Sequence, residues 1–188
     1  MDLWLSPHDA RIRSLLDGTG GPLRMGYADT PIGDCTALFR HDHLVALRFI
    51  KDRHEGKEVF RGEWPQTELI LDGEADRLLA HLMDNPVSRL SIPVLAFGTP
   101  FQLTVWEYLR RADPVGTMTY GELARAIGRP SAARAVGRAV GANGIAVAIP
   151  CHRVVSRHGL TGYRWGVERK RRLLEWELSR RDPLKIPF

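Results

Sequence analysis

A new hydrophobic rhythm starts near residue 97, and that change limits the folds open to the chain. Residues 22–50 contain three short extended runs, LRMGYADT, CTALFRHD and LVALRFI, with turn residues such as Pro31-Ile32-Gly33-Asp34 between them. Such spacing predicts a small antiparallel sheet. From Thr99-Pro100 onward apolar residues recur at helical intervals, beginning with Phe101, Val105 and Leu109 on one face. The expected architecture is α/β in two domains, residues 1–97 and 98–188.

Around the three runs, the first half offers further elements. Ser6-Pro7 can start a helix over DARIRSLLD, stopped by Gly18 to Gly21. Residues 51–65 are polar and read as a loop. Glu68 to Met83 has helical spacing and ends at Asn85-Pro86. LSIPVLAF, residues 90–97, reads as one more strand, with Pro93 at an edge or bend. In the second half, Asp113-Pro114 closes the first helix. Thr119 and Glu122 have the spacing of a capping box, Gly128 stops the helix they open, and Ser131 can cap the next, AARAVGRAVGAN. Helix, tight turn, helix is the helix-turn-helix pattern. A last helix runs from Val167 to about Arg180, and DPLKIPF follows as a frayed or loosely docked tail.

The second helix of that pair is built from small residues. Val136, Val140 and Ala133 form an inward stripe, and Arg134 and Arg138 lie about 200° round from the valines. Ala132, Ala135, Gly137, Ala139, Gly141 and Ala142 fill most of the rest. An ordinary helix is about 10–12 Å across, and a DNA minor groove is about 6 Å wide. Small side chains reduce the widening that a groove must undergo. They equally permit close helix packing, and both readings stand. The net charge of +5 favours a polyanionic partner weakly. No apolar run approaches the roughly 20 residues that span a bilayer, and MDLWLSPHDARIR lacks the order of a signal peptide. Cys35 and Cys151 are too few for a disulfide framework and suit a reducing cytoplasm.

The chemistry concentrates between Gly141 and Val155, GANGIAVAIPCHRVV. Ile145 to Ile149 reads as a buried strand, and Pro150, lacking an N–H, ends it. Cys151 then stands at the mouth of that element beside His152. On the last helix, with Leu173 as origin and about 100° per residue, Leu174, Val167 and Leu178 fall at about 100° to 140° and Glu177 at about 40°. A carboxylate thus points inward and needs a partner. Lys170, at about 60°, is a rival whose stem can snorkel outward. Thiol, imidazole and carboxylate are the parts of an activated nucleophile. The alternatives are an inert buried thiol, a satisfied core histidine, and a Glu177 salt bridge to Lys170 or an arginine.

IPCHRVV, preceded by AARAVGRAVGAN and followed by GYRWGVERKRRLLEWE, resembles the O6-alkylguanine-DNA alkyltransferases, also called methylated-DNA–protein-cysteine methyltransferases. The resemblance is dense from Thr99 to Glu177 and looser over residues 20–97. It implies a small RNase H-like N-terminal α/β domain and a helical, winged helix-turn-helix-type C-terminal domain carrying the active site. It implies irreversible, stoichiometric transfer of the alkyl group from O6-alkylguanine, and from O4-alkylthymine, to Cys151. His152 would activate the thiol through water, Glu177 would orient His152, and Asn143 would be the hinge between helix and cysteine. Arg134 would enter the duplex in place of the flipped nucleotide. Tyr120 would turn the 3′ phosphate and donate to the base. Ala132, Ala133, Ala135, Gly137 and Arg138 would face the minor groove. Pro150, Val154, Tyr163 and Arg164 would line the base pocket, with the carbonyls of Cys151 and Val154 receiving the base amino group. The expected partner is double-stranded DNA containing O6-alkylguanine, bound by a cytoplasmic monomer with no membrane role, cooperativity on DNA being left open.

No cofactor and no metal are expected, because Cys35 has no usual ligand spacing to His41 and His43. Tyr163-Arg164-Trp165 stands where many relatives have Tyr-Ser, which leaves the size of the alkyl pocket open. Two other classes compete: a lesion sensor without transfer activity, and a cysteine hydrolase with a Cys-His-Glu triad. Retention of Cys151, His152 and Glu177 argues against the first. The adjacency of Cys151 and His152 argues against the second.

Overall fold

The computed structural model describes residues 1–6, 9, 18–84, 88–112 and 116–180. The helix expected over DARIRSLLD, the breaks at Asn85-Pro86 and Asp113-Pro114, and the tail DPLKIPF lie outside the described residues.

The three extended runs form an antiparallel meander, β2 (Leu23–Ala28), β3 (Cys35–Arg40) and β4 (His43–Phe49). β1 (Leu3–Leu5) lies apart, and β5 (Leu69–Leu71) joins β2 in parallel, giving the sheet order β4-β3-β2-β5. Three antiparallel strands, as expected, are thus joined by a fourth parallel to the first. The segment 68–83 is therefore not one helix. Its head is the strand β5, and helix α2 (Gly73–Asp84) begins after Asp72, whose carboxylate accepts from the backbone N–H groups of Glu74 and Ala75. α2 packs on β2 at Gly26, where a Cβ would lie 2.5 Å from the Ala75 carbonyl carbon. Only glycine allows that approach.

Residues 51–65 are more than a polar loop. They hold a 3-10 turn, Arg53–Glu55, and the short helix α1 (Glu58–Arg61). Phe60 and Trp64, four residues apart, are buried and anchor the segment beneath the sheet. Residues 90–97 give a shorter strand than expected. A 3-10 turn, Ser88–Leu90, precedes Pro93, and β6 spans Leu95–Phe97, parallel to β1.

Helix α3 (Pro100–Arg111) starts with Thr99 and Gln102 capping one another, and α4 (Tyr120–Ala126) with Thr119 and Glu122 doing the same. Gly128, at φ +71°, ends that turn of chain. Helix α5 (Ala133–Gly141) has Ala132 at its N-cap position with no side-chain cap, so Ser131 does not fill the expected role. Val154–Val155, strand β8, pairs in parallel with β7 (Met118–Thr119), placing the segment after the cysteine against the start of α4. Helix α6 spans Val167–Ser179.

The largest correction falls on Ile145 to Ile149, which is buried but is not a strand. Only Ile145 bridges the sheet, at Leu47. The chain then folds back: the Ala148 N–H donates to the Ala146 carbonyl at 2.6 Å across Val147, which sits at φ +62°. This is a γ-turn, costly for a β-branched residue. An inverse γ-turn, the common unstrained kind, follows at Pro150 (φ −78°, ψ 61°), where the Cys151 N–H reaches the Ile149 carbonyl at 2.8 Å. Cys151–Arg153 is a single turn of 3-10 helix. Residues 145–149 are tied to the Asn143 side chain at both ends, through the Ile145 N–H and the Ile149 carbonyl, and so cannot lie straight.

The wheel for α6 is also corrected. Its inward arc is Lys170, Leu173, Trp176 and Glu177, centred on Leu173, while Val167 and Leu178 are exposed. Trp176 takes the core position that the two smaller side chains were expected to share. Lys170 does not snorkel; it is 1% exposed. One apolar cluster runs from Ala28 in the sheet through Val105 and Val136 to Trp176, so the sheet half and the helical half share a core. Among the described residues no helix is long and apolar enough to cross a membrane.

Candidate active site and DNA-facing helix

The double turn before Cys151 aims its thiol at Asn143, at the end of α5. The Asn143 Oδ1 accepts from the Ile145 N–H at 2.9 Å, and Nδ2 donates to the Ile149 carbonyl at 2.9 Å and to Cys151 Sγ at 3.1 Å. One buried amide thus ties the C-terminal end of α5 to the thiol. Burial pushes the Cys151 thiol up to about 11, against the Asn143 hydrogen bond and the Lys170 charge. At rest it is a thiol. Burial and the neighbouring Asp34 push Cys35 to about 12, with Sγ turned to the Ala28 carbonyl.

His152 and Arg153 follow Cys151 on the same turn and both reach Glu177 on α6. His152 Nε2 lies 2.9 Å from Glu177 Oε1. Arg153 donates through Nε to Oε2 at 2.8 Å and through Nη2 to Oε1 at 2.7 Å. Burial alone would raise Glu177, but His152 and the permanent Arg153 cation bring it down to about 2. Burial holds His152 below the usual imidazole range, with Glu177 pulling the other way. His152 Nδ1 is buried and takes no hydrogen bond. With Glu177 on Nε2, Nδ1 is the nitrogen left to exchange a proton.

Lys170 and Arg153 were not among the expected site residues. Lys170 Nζ donates to the carbonyls of Val154 at 2.7 Å, Thr161 at 3.0 Å and Gly162 at 3.3 Å, closing the loop after β8 over the site. The Val154 carbonyl therefore has one lone pair left for any base. The position of Lys170 on the inward arc was the available signal. For Arg153 it was adjacency to His152 on a turn too short to point them apart.

The Tyr163 ring stands edge-on to His152, with centroids 6.5 Å apart, and to Trp165 at 5.2 Å. Its hydroxyl is buried beside Cys151 without a well-formed hydrogen bond, and burial first, then the Cys151 charge, raises it well above an ordinary phenol. Arg164 turns elsewhere: its partners are Glu63, at 3.6 Å, and the Trp165 ring. Pro150 is buried.

Tyr120 opens α4 and faces α5 at Gly137, where a Cβ would touch the ring at 3.8 Å. Burial raises its pKa, and the Cys151 charge adds to that. On α5, Val136, Ala139 and Val140 are buried, and the Trp106 indole donates to the Ala139 carbonyl at 2.8 Å. Arg134 and Arg138 project into solvent, while Ala132, Ala133, Ala135 and Gly137 are half-buried. The outer surface of α5 is thus small side chains bracketed by two arginines, next to Tyr120.

A family model described as the DNA-binding domain of 6-O-methylguanine DNA methyltransferase matches residues 100–179. A methylated-DNA–protein-cysteine methyltransferase of Salmonella typhimurium is 45% identical over 163 residues, covering 79% of this chain and 91% of that protein. One from Mycobacterium tuberculosis is 40% identical over 153 residues, covering 81% and 90%. The crystal structure of Mycobacterium tuberculosis OGT in complex with DNA superposes with a TM-score of 0.67 at 34% identity, covering 84% of this chain and 94% of that one.

Proposed function

The chain belongs to the methylated-DNA–protein-cysteine methyltransferases, and from that premise we propose that it repairs O6-alkylguanine in duplex DNA by moving the alkyl group onto Cys151. It is a DNA-binding transferase whose acceptor is a protein cysteine. The observation that supports Cys151 as the acceptor is the buried His152 next to it, held by Glu177 at Nε2 and unpartnered at Nδ1.

A guanine in the stack hides its O6, so the base must leave the duplex at a cost of a few kcal/mol. Small side chains on α5 let the helix approach the backbone, and Arg134 takes the space that the base vacates. Tyr120 and Arg138 flank the strand. In the pocket, the Cys151 sulfur attacks the alkyl carbon as the carbon–O6 bond breaks. The thiol proton passes through a water to His152 Nδ1. Glu177 stabilises the imidazolium, and Arg153 keeps Glu177 ionised throughout. Tyr120 donates to the departing purine, which ends as neutral guanine once a proton returns to it. The thioether has no route back to a thiol, so each molecule acts once.

Cys35 and Cys151 are both free and buried, which suits a monomer working in the cytoplasm. The substitution Cys151→Ala tests the reading. Transfer from a duplex containing O6-methylguanine should vanish while affinity for that duplex stays within about two-fold, less than ~0.5 kcal/mol. A loss of affinity in step with activity would make the thiol structural.

A further inference from the structure

Four buried polar atoms without a well-formed hydrogen bond gather in two places. His152 Nδ1 and Tyr163 Oη belong to the alkyl-acceptor site. Arg48 Nη1 and Trp64 Nε1 are the other two, and the residues that carry them line a cavity of about 290 Å³ at the seam between the sheet and the helical half. Each such atom in a native structure needs an explanation.

Arg48, on β4, is 4% exposed. Its Nη2 donates to both oxygens of Glu63, at 2.6 and 2.8 Å, and its carbon lies 5.9 Å from the Phe60 ring centre. Nη1 is left over, close to Gly144, where a Cβ would sit 2.8 Å from it. Trp64 supplies the other free N–H. Phe97 and Trp106 add apolar walls, and Glu63 and Arg164 stand at the exposed side. The charged lining is two arginines against one carboxylate whose oxygens Arg48 already holds.

We propose that this cavity binds a small carboxylate with a flat apolar body, independently of the alkyl-acceptor pocket. The carboxylate would receive Arg48 Nη1 and Trp64 Nε1, and the body would lie against Phe97 and Trp106. A single surplus positive charge matches a monoanion, while a phosphate dianion would meet Glu63. Asn143 lines this cavity as well as holding Cys151 Sγ, so the two sites share one residue.

Benzoate titrated into the full chain at low salt, read by tryptophan fluorescence and calorimetry, tests this. One saturable site is expected. Benzamide, its neutral counterpart, and the variant Arg48→Met should each bind at least about ten-fold more weakly, the loss that follows removal of a charge-assisted hydrogen bond. Trp64→Phe keeps the aromatic wall and removes only the N–H; it should weaken binding several-fold while transfer from a methylated duplex proceeds unchanged. Protein already methylated on Cys151 should bind benzoate as well as the free thiol form does. Absence of saturable binding, equal binding by Trp64→Phe and Arg48→Met, or competition between benzoate and free O6-benzylguanine would each overturn the proposal. A cavity holding only water in a crystal grown with benzoate would do so too, as would tighter binding of inorganic phosphate.

Discussion

At the scale of single residues, the central device is one carboxylate shared by two cations of different kind. Glu177 meets a permanent cation, Arg153, and a titratable one, His152. Its folded-state pKa, about 2, lies below the ordinary 4.5. The stability it contributes is therefore present above about pH 4.5 and is lost as pH falls from there toward 2. His152 is also held low, so the folded form prefers it neutral, and that contribution fades as pH falls below its ordinary 6.5. Glu177→Gln keeps the shape and an acceptor for Arg153 but removes the charge behind His152. We expect single-turnover alkylation to slow by about 10²-fold, the lower range for proton-transfer assistance, with a folded protein and a shallower acid limb in its unfolding curve. An unchanged rate would leave Glu177 as a partner of Arg153 alone. The inward direction of Glu177 was legible from helical spacing. Its pairing with His152 was read from the same residues, and an arginine was among the partners foreseen; which arginine was not legible, because Arg153 reads in isolation as a solvated charge, and Lys170 reads as a side chain long enough to escape.

At the scale of elements, the local signals that carry their own hydrogen bonds were legible. Thr99 and Thr119 announce helix starts by residues three positions on, and both capping boxes form. The alternating runs of residues 22–50 gave three strands in their places. Segments whose shape depends on distant contacts were not legible. Ile145 to Ile149 has a strand's composition, but its ends are tied to Asn143 and to the double turn before Cys151, and a chain so tethered must fold back. Periodicity reports burial, and here burial does not mean an extended backbone. The DNA-facing reading of α5 rests on its exposed arginines and small residues and is tested on that element. Arg134→Ala should slow repair of duplex DNA by about ten-fold or more, ~1.4 kcal/mol, while leaving the reaction with free O6-benzylguanine unchanged within error. Equal losses on both substrates would remove Arg134 from base extrusion and return α5 to a packing role.

At the scale of the whole molecule, residues far apart in sequence hold the cysteine turn. Arg110 on α3, 1% exposed, donates to the Asp2 carboxylate at 3.1 and 3.3 Å, to the Ile92 carbonyl at 2.6 Å and to the Ala148 carbonyl at 3.1 Å, and also to the Arg89 carbonyl. Asp2 thus neutralises a buried cation that fixes the backbone just ahead of Cys151. Nothing in the local sequence around either residue signals this, since the pair is separated by most of the chain. Asp2→Ala leaves the cation with carbonyls only. Because Asp2 is about a quarter exposed, we expect a loss of about 2–3 kcal/mol, the lower part of the range for breaking such pairs, seen as a lower midpoint in urea unfolding. A midpoint unchanged from the parent would show that Arg110 needs no counterion. The shared core and this clasp make the sheet half a support for the chemistry of the helical half. The central claim, that this molecule consumes itself in one transfer to one cysteine, is tested by intact mass after mixing with excess duplex carrying O6-methylguanine, followed by peptide mapping. The prediction is a gain of one methyl group per chain, saturating there and located on Cys151. No gain with the duplex still bound, or a methyl found on Cys35, would contradict it.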